Sequence, residues 1–175
     1  IYLLEDVYEI NYYYALLEEF DFFHNAWIFN KRENKNSPRF GLLADTYGPG
    51  MGINHKLIDA GVIAKFHAKK ILKRNLNFIR VNTNIQFFGQ ESDFHIDSEH
   101  DHAKIWSMVM FMAESWDVSW GGELIIQCYD KNYLGIPFIP NCGVLFNGTM
   151  PHKGSAPNRF CNFERKSLAF LFEEL

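Results

Sequence analysis

Apolar and polar positions follow two different patterns along the chain, and the change falls near Asn75. From His55 to Leu76 the apolar residues recur at intervals of three and four, the spacing of one face of an α-helix. This segment predicts one amphipathic helix of about six turns, or two shorter ones. Residues 4–20 show mixed spacing and predict a helix, or a strand followed by a helix.

After Asn75 the apolar residues alternate with polar ones, which is typical of β-strands. Residues 78–88 are the clearest example, because Ile79, Val81, Thr83 and Ile85 alternate with polar side chains. Further short strands are predicted at residues 93–97, 105–113, 123–129, 136–139, 143–146 and 166–172.

Helices first and short strands afterwards predict an α+β chain that is mainly β, with a jelly-roll core. We expect the N-terminal helices to pack on one outer face of that core. The predicted division is a helical part over about residues 1–76 and a jelly roll over about residues 77–175. Because 175 residues is an ordinary domain length, we expect residues 1–175 to form one domain.

Composition narrows the class of protein and of partner. The chain is 47% hydrophobic and 17% aromatic, which excludes a disordered chain. The net charge is only −4, so neither a nucleic acid nor an anionic membrane is expected as a partner.

Cysteine content and hydropathy bear on location. Cys128, Cys142 and Cys161 are an odd number of cysteines without a CxxC pair, which indicates a reducing compartment and no structural zinc site. The chain has no apolar run of about 18 residues and no visible signal peptide, so no membrane span is expected. The sequence therefore predicts a cytoplasmic protein.

The clearest chemical motif is His95-Ile96-Asp97, followed at a distance by His152. Side chains at positions i and i+2 of a strand point to the same side, so His95 and Asp97 can bind one ion together. His152 can join them if the chain folds back. Two imidazoles and one carboxylate on one side of a metal leave the opposite positions open, as in non-haem Fe(II) oxygenases.

A cation near the C-terminus is the second feature of the motif. Arg165 opens the last predicted strand and shares a strand face with Ser167 and Ala169, whose small side chains leave room for a ligand. An Fe(II) oxygenase that uses 2-oxoglutarate needs a cation for the distal carboxylate of that cosubstrate. Arg159 and Lys166 are the competing candidates.

The segment from Met110 to Asp117, followed by Gly121-Gly122 and combined with HxD…H, resembles the 2-oxoglutarate- and Fe(II)-dependent dioxygenases. The resemblance covers about residues 78–175 and is strongest to the prolyl 4-hydroxylase branch. It implies a double-stranded β-helix, iron bound by His95, Asp97 and His152, and 2-oxoglutarate held by Arg165 with Ser167.

The resemblance also implies a reaction. The expected activity is hydroxylation of an unactivated C–H bond with O2 as oxidant, which releases succinate and CO2. The expected substrate is a prolyl residue in a peptide or protein, and ascorbate is an optional reductant. Asp97 argues against halogenation, because the halogenases of this superfamily lack the carboxylate.

The chain departs from the family where a tyrosine usually lies close to the cosubstrate. Gln86 stands near that position and could donate a hydrogen bond instead. Phe111 aligns with a second tyrosine and cannot donate. We therefore expect an altered cosubstrate pocket.

Two other functions stay open from the sequence. Oxidative demethylases of nucleic acids carry two arginines six residues apart after the last histidine, and Arg159 and Arg165 have that spacing. A non-enzymatic jelly-roll binding domain is the other alternative. His100 and His102 are rival metal ligands, although a hydrated loop is the expected role of their segment.

Overall fold

The structure is a computed structural model that describes residues 1–22, 28–31, 40–47, 55–98 and 104–175. The described residues contain two α-helices, α1 (Ile10–Phe22) and α2 (His55–Leu72). The strands are β1 (Tyr2–Leu4), β2 (Ile28–Lys31), β3 (Phe40–Tyr47), β4 (Leu76–Gln86), β5 (Ile105–Met112), β6 (Leu124–Gln127), β7 (Tyr133–Ile136), β8 (Gly143–Asn147), β9 (His152–Gly154) and β10 (Arg165–Glu174).

Two antiparallel sheets form the core. The larger has seven strands in the order β1-β8-β5-β10-β4-β3-β2, and the smaller has three in the order β7-β6-β9. An isolated bridge between His95 and His152 extends the smaller sheet beyond β9. The predicted jelly roll is confirmed.

Alternation along β5 divides the interior into two layers. Met108, Met110 and Met112 are buried on the side where both helices pack, while Val109 and Phe111 are buried between the two sheets. The helices are therefore on one outer face of the larger sheet, as predicted. They contribute buried apolar residues to this layer, among them Tyr13, Leu16, Leu17, Leu57, Ala60, Ala64 and Ala68.

The predicted division at residue 76 needs correction. The N-terminal part is not only helical, because β1, β2 and β3 all belong to the larger sheet. β1 pairs with β8, and β3 pairs with β4. Strands of this kind depend on hydrogen bonds to distant segments, so local alternation only partly indicates them. The strand-plus-helix alternative for residues 4–20 agrees in type with β1 and α1.

Two predicted strands also change. The strand expected at residues 93–97 is reduced to a single bridge residue, His95, because the Asp97 N–H donates to Gly148 O instead of to a partner strand. The strand expected at residues 136–139 lies earlier, at Tyr133–Ile136. Strand β9, which begins at His152, was not predicted from the sequence.

No helix in the described ranges is both long and apolar enough to cross a bilayer. Cys128, Cys142 and Cys161 are free thiols. The cytoplasmic location remains a prediction.

Candidate metal centre and anion pocket

Backbone hydrogen bonds bring the two histidines together. The N–H of His95 donates to His152 O at 3.1 Å, and the N–H of His152 donates to His95 O at 2.9 Å. This pairing places the end of the HxD segment beside β9, where His152 also pairs with Ile126 of β6. As a result, the potential ligand atoms of His95, Asp97 and His152 all lie within 4.8 Å of one another.

Both imidazoles are held in the orientation that a metal ligand requires. Nδ1 of His95 lies 3.2 Å from Asp93 O, and Nδ1 of His152 lies 3.0 Å from Met150 O. A carbonyl oxygen can only accept, so in the neutral ring Nδ1 is the nitrogen that carries the proton and Nε2 is the nitrogen available to a metal. This arrangement fixes the tautomer of a metal-binding histidine.

The carboxylate of Asp97 has partners that the sequence did not indicate. Ser107 Oγ donates to Asp97 Oδ2 at 2.5 Å, and Oδ2 lies 3.6 Å from His152 Nε2. Arg80 Nη2 lies 3.9 Å from the other oxygen, Oδ1. Two features of the sequence could have indicated these partners. Ser107 is a hydroxyl residue in an otherwise apolar strand, and Arg80 lies on the polar face of β4.

Arg165 is buried near the metal ligands, with 2% of its surface exposed. Its Nε donates to Gly122 O at 2.8 Å, and its Nη1 donates to Gln86 Oε1 at 3.0 Å and to Ser167 Oγ at 3.3 Å. Among the described residues, the buried Nη2 has no hydrogen-bond partner. Burial lowers the pKa of Arg165 to about 10, so the guanidinium is still a cation at neutral pH.

One cavity of about 360 Å³ joins Arg165 to the three metal-ligand candidates. Ser167 and the polar face of β4 line its wall, which brings Arg80, Asn82, Asn84 and Gln86 into the site. The expected metal ligands His95, Asp97 and His152 and the preferred cosubstrate residues Arg165, Ser167 and Gln86 therefore border one space.

The role expected for Gln86 needs correction. Its Nε2 donates to Gln90 O at 3.1 Å and to Gly154 O at 3.0 Å, which uses both amide hydrogens. Its Oε1 accepts from Arg165. Gln86 therefore orients Arg165 and does not offer a free donor to a ligand.

Two glycines allow the backbone to approach Arg165. Gly122 has a φ of +84°, a conformation that side chains rarely adopt, and its carbonyl accepts from Arg165. A Cβ on Gly154 would lie 2.9 Å from Gln86 Oε1 and 3.1 Å from Arg165 Nη1. A side chain on Gly154 would therefore displace the cation or Gln86, whereas one on Gly122 would be strained by its φ and would crowd Trp116 at 3.0 Å.

The competing cations lie elsewhere. Lys166 Nζ pairs with Glu164 Oε1 at 2.9 Å, and Arg159 is exposed with its guanidinium 4.8 Å from the Phe160 ring centroid. Neither lines the cavity of the site. Phe111 packs beneath Arg165, with its ring centroid 5.8 Å from Cζ. The rival ligands His100 and His102 lie outside the described residues.

Comparison with known proteins gives matches in structure only. No family model and no curated sequence matches the chain. A prolyl-4-hydroxylase from Pseudomonas putida superposes with a TM-score of 0.74 at 18% identity, over 99% of this chain and 92% of that one. A prolyl hydroxylase from Trichoplax adhaerens, in complex with a peptide fragment of the hypoxia inducible factor oxygen degradation domain, superposes with a TM-score of 0.73 at 13% identity, over 99% and 82%.

The fold is that of the 2-oxoglutarate- and Fe(II)-dependent oxygenases. Reactions other than hydroxylation occur on the same fold. The non-haem α-ketoglutarate-dependent epimerase SnoN, from nogalamycin biosynthesis, superposes with a TM-score of 0.74 at 9% identity, over 98% of this chain and 77% of that one. At such identities the likeness establishes the fold, and the chemistry has to be argued from the site.

Proposed function

We propose that this chain is an Fe(II)- and 2-oxoglutarate-dependent oxygenase. The observation that carries the proposal is the buried Nη2 of Arg165, which has no hydrogen-bond partner in the part of the chain that the structure describes. Arg165 lines the same cavity as His95, Asp97 and His152. The guanidinium donates three other hydrogen bonds, but a buried donor group without a partner is still costly, and this cost is removed when an anion binds.

The donor set fits a divalent transition metal. His95 and His152 would each bind through Nε2, and Asp97 would bind through a carboxylate oxygen. These three ligands suit Fe(II) and leave coordination positions for other groups. His152 is 4% exposed, whereas His95 and Asp97 are only partly buried.

The anion pocket fits the distal carboxylate of 2-oxoglutarate. Arg165 would bind that carboxylate through Nη2, and Ser167, which is 2% exposed and lines the cavity, would complete the pocket. Gln86 and Gly122 hold the guanidinium in place. Iron and 2-oxoglutarate, when bound, would supply the oxidising power from O2, with succinate and CO2 as products and ascorbate as an optional reductant.

Anaerobic titration with Fe(II) and then 2-oxoglutarate tests the cofactor chemistry. We expect the weak visible charge-transfer band of a chelated keto acid. The band should disappear in Asp97→Ala, and its half-saturation should move to higher 2-oxoglutarate in Arg165→Ala. Arg159→Ala is the matched control and should leave the titration unchanged. Iron binding without the band would favour the non-enzymatic binding domain instead.

We propose a prolyl residue in a peptide or protein as the substrate. Support comes from the two prolyl hydroxylases among the structural matches, one of which holds a peptide. Incubation with proline-containing peptides should add one oxygen atom to the peptide, detected by mass spectrometry, in step with succinate release. Succinate without a modified peptide would count against this substrate class.

The nucleic-acid demethylase is the weaker alternative. Its expected second arginine, Arg159, is exposed and does not line the cavity that contains Arg165. The net charge of −4 also provides no general attraction for a polyanion. The same incubation with methylated oligonucleotides should therefore give no formaldehyde.

A further inference from the structure

Ser107 is a buried serine, and the apolar packing of its strand does not explain why a hydroxyl lies there. It lies in β5, where residues 107–112 are all buried and the other five are apolar. Its side chain is 2% exposed, and its Oγ donates to Asp97 Oδ2 at 2.5 Å. Burying a hydroxyl costs free energy unless the hydroxyl forms a hydrogen bond. The buried hydroxyl of Ser107 forms its bond with Asp97, which indicates that it orients this carboxylate.

The same part of β5 also holds the main chain of Asp97. The N–H groups of Asp97 and Ser98 donate to Gly148 O at 2.8 and 3.1 Å, and the N–H of Gly148 donates to Ile105 O at 2.9 Å. Two separate connections therefore link Asp97 to β5. Its backbone N–H is linked to Ile105 through Gly148, and its carboxylate accepts from Ser107. The position of Asp97 would survive the loss of Ser107, whereas the rotation of its carboxylate would be released.

The two carboxylate oxygens face different groups. Oδ2 lies 3.6 Å from His152 Nε2, while Oδ1 lies 3.9 Å from Arg80 Nη2. The Arg80 side chain is 40% exposed, so its ion pair alone orients the carboxylate weakly. The short bond from Ser107 is therefore the main restraint on this rotation.

We propose that Ser107 is a positioning residue that makes Asp97 a one-oxygen metal ligand, with Oδ2 directed to the ion and Oδ1 directed to Arg80. The inference rests on the proposed function for the identity of the metal site. In this proposal Ser107 of β5 also sets the number of coordination positions that stay open, because it limits Asp97 to one bound oxygen. A carboxylate free to rotate could bind through both oxygens and occupy a position that a cosubstrate needs.

Co(II) alone is a suitable probe, because its visible absorption responds to coordination number and its affinity can be measured without turnover. In Ser107→Ala we expect Co(II) affinity to fall about 10- to 100-fold, as for other groups that orient a ligand. The Co(II) spectrum should change in shape as well. Ser107→Thr keeps the hydroxyl and should restore most of the affinity.

Ser92→Ala is the matched control. Ser92 is also a buried serine that lines the cavity, but its Oγ donates to Gly154 O at 2.9 Å and not to a metal ligand. The Ser92→Ala variant should bind Co(II) as the unmodified protein does. Circular dichroism melting should show that Ser92→Ala, Ser107→Ala and Ser107→Thr are all folded.

The outcomes separate the two proposals. Unchanged affinity and spectrum in Ser107→Ala would overturn the role of Ser107 and leave the metal site intact. Equal losses in Ser107→Ala and Ser92→Ala would also overturn it, since they would indicate a general effect of packing. Failure of the unmodified protein to bind Co(II) would instead overturn the metal site and this inference with it.

Discussion

Arg165 and Gln86 lie directly opposite each other on β10 and β4, and Arg165 Nη1 donates to Gln86 Oε1 at 3.0 Å. The glutamine is itself fixed by two backbone carbonyls. The cation is therefore held in one orientation, and its Nη2 has no hydrogen-bond partner within the described ranges. The proposed anion would therefore meet a cation that is already held in place.

Gln86→Glu should weaken 2-oxoglutarate binding. The new carboxylate would lie beside Arg165 and pair with it, in competition with the ligand. We expect a loss of about tenfold or more in affinity, measured by anaerobic titration, with Co(II) affinity much less affected. Asn84→Asp is the control, since it adds the same charge on the same face of β4. Equal losses in both variants would mean that only the total charge of the cavity matters.

Gly154→Ala should weaken the same ligand for a steric reason. The added Cβ would lie 2.9 Å from Gln86 Oε1 and 3.1 Å from Arg165 Nη1, so both groups must move. We expect a loss of about tenfold in 2-oxoglutarate affinity by titration calorimetry. Gly135→Ala, in the same sheet, is the control because its Cβ would have no heavy atom within 4 Å. An unchanged affinity in Gly154→Ala would contradict the close approach of β9 to the cation.

Arg80→Gln should strengthen metal binding. Arg80 Nη2 lies 3.9 Å from Asp97 Oδ1, so its positive charge opposes the arrival of a divalent cation at the same carboxylate. Because the side chain is 40% exposed, solvent screens the effect, and we expect roughly a threefold gain in Co(II) affinity at low salt. Arg74→Gln removes a charge of the same kind from an exposed pair with Glu174 and should change nothing. Weaker binding in Arg80→Gln would mean that Arg80 mainly orients Asp97.

Tyr13→Phe should destabilise the fold. The Tyr13 hydroxyl joins α1 to the larger sheet, since its oxygen lies 2.9 Å from Ala113 O and accepts from the N–H groups of Ala113 and Asn141. We expect a loss of about 1–3 kcal/mol in the free energy of unfolding, measured with urea, because buried groups lose their partner. Tyr14→Phe changes an exposed neighbour and should stay within about 0.5 kcal/mol.

The stability of Tyr13→Phe and Tyr14→Phe at alkaline pH provides a second test. Burial raises the pKa of Tyr13 to about 12. An unfolded tyrosine loses its proton near pH 10, while Tyr13 in the folded protein keeps it. Its contribution to stability is therefore lost as the pH rises from about 10 to 12, and the loss should be smaller in Tyr13→Phe than in Tyr14→Phe. Identical pH profiles would contradict the burial of this hydroxyl.

The sequence pattern was sufficient to predict an element or a shared strand face wherever the signal lies within one short segment. Alternation predicted β4, and the HxD spacing with a later histidine predicted that His95, Asp97 and His152 lie together, as they do within 4.8 Å. Metal binding by these residues stays a prediction. Strand parity favoured Arg165 over Lys166, and the structure places Arg165 in the cavity and Lys166 outside its lining. The positions of these residues could be predicted because side-chain direction along a strand is fixed by the backbone.

Contacts between distant segments were not available from the sequence. Ser107 and Arg80 are two ordinary polar residues in the chain, and only the pairing of β5 and β4 on either side of β10 brings both to Asp97. The same holds for Gln86, which was expected to face a ligand and in fact orients Arg165. The sequence alone determined which residue types are available for the proposed chemistry. The tertiary structure decided which of them touch, because hydrogen-bond geometry is set by strand register between segments far apart in the chain.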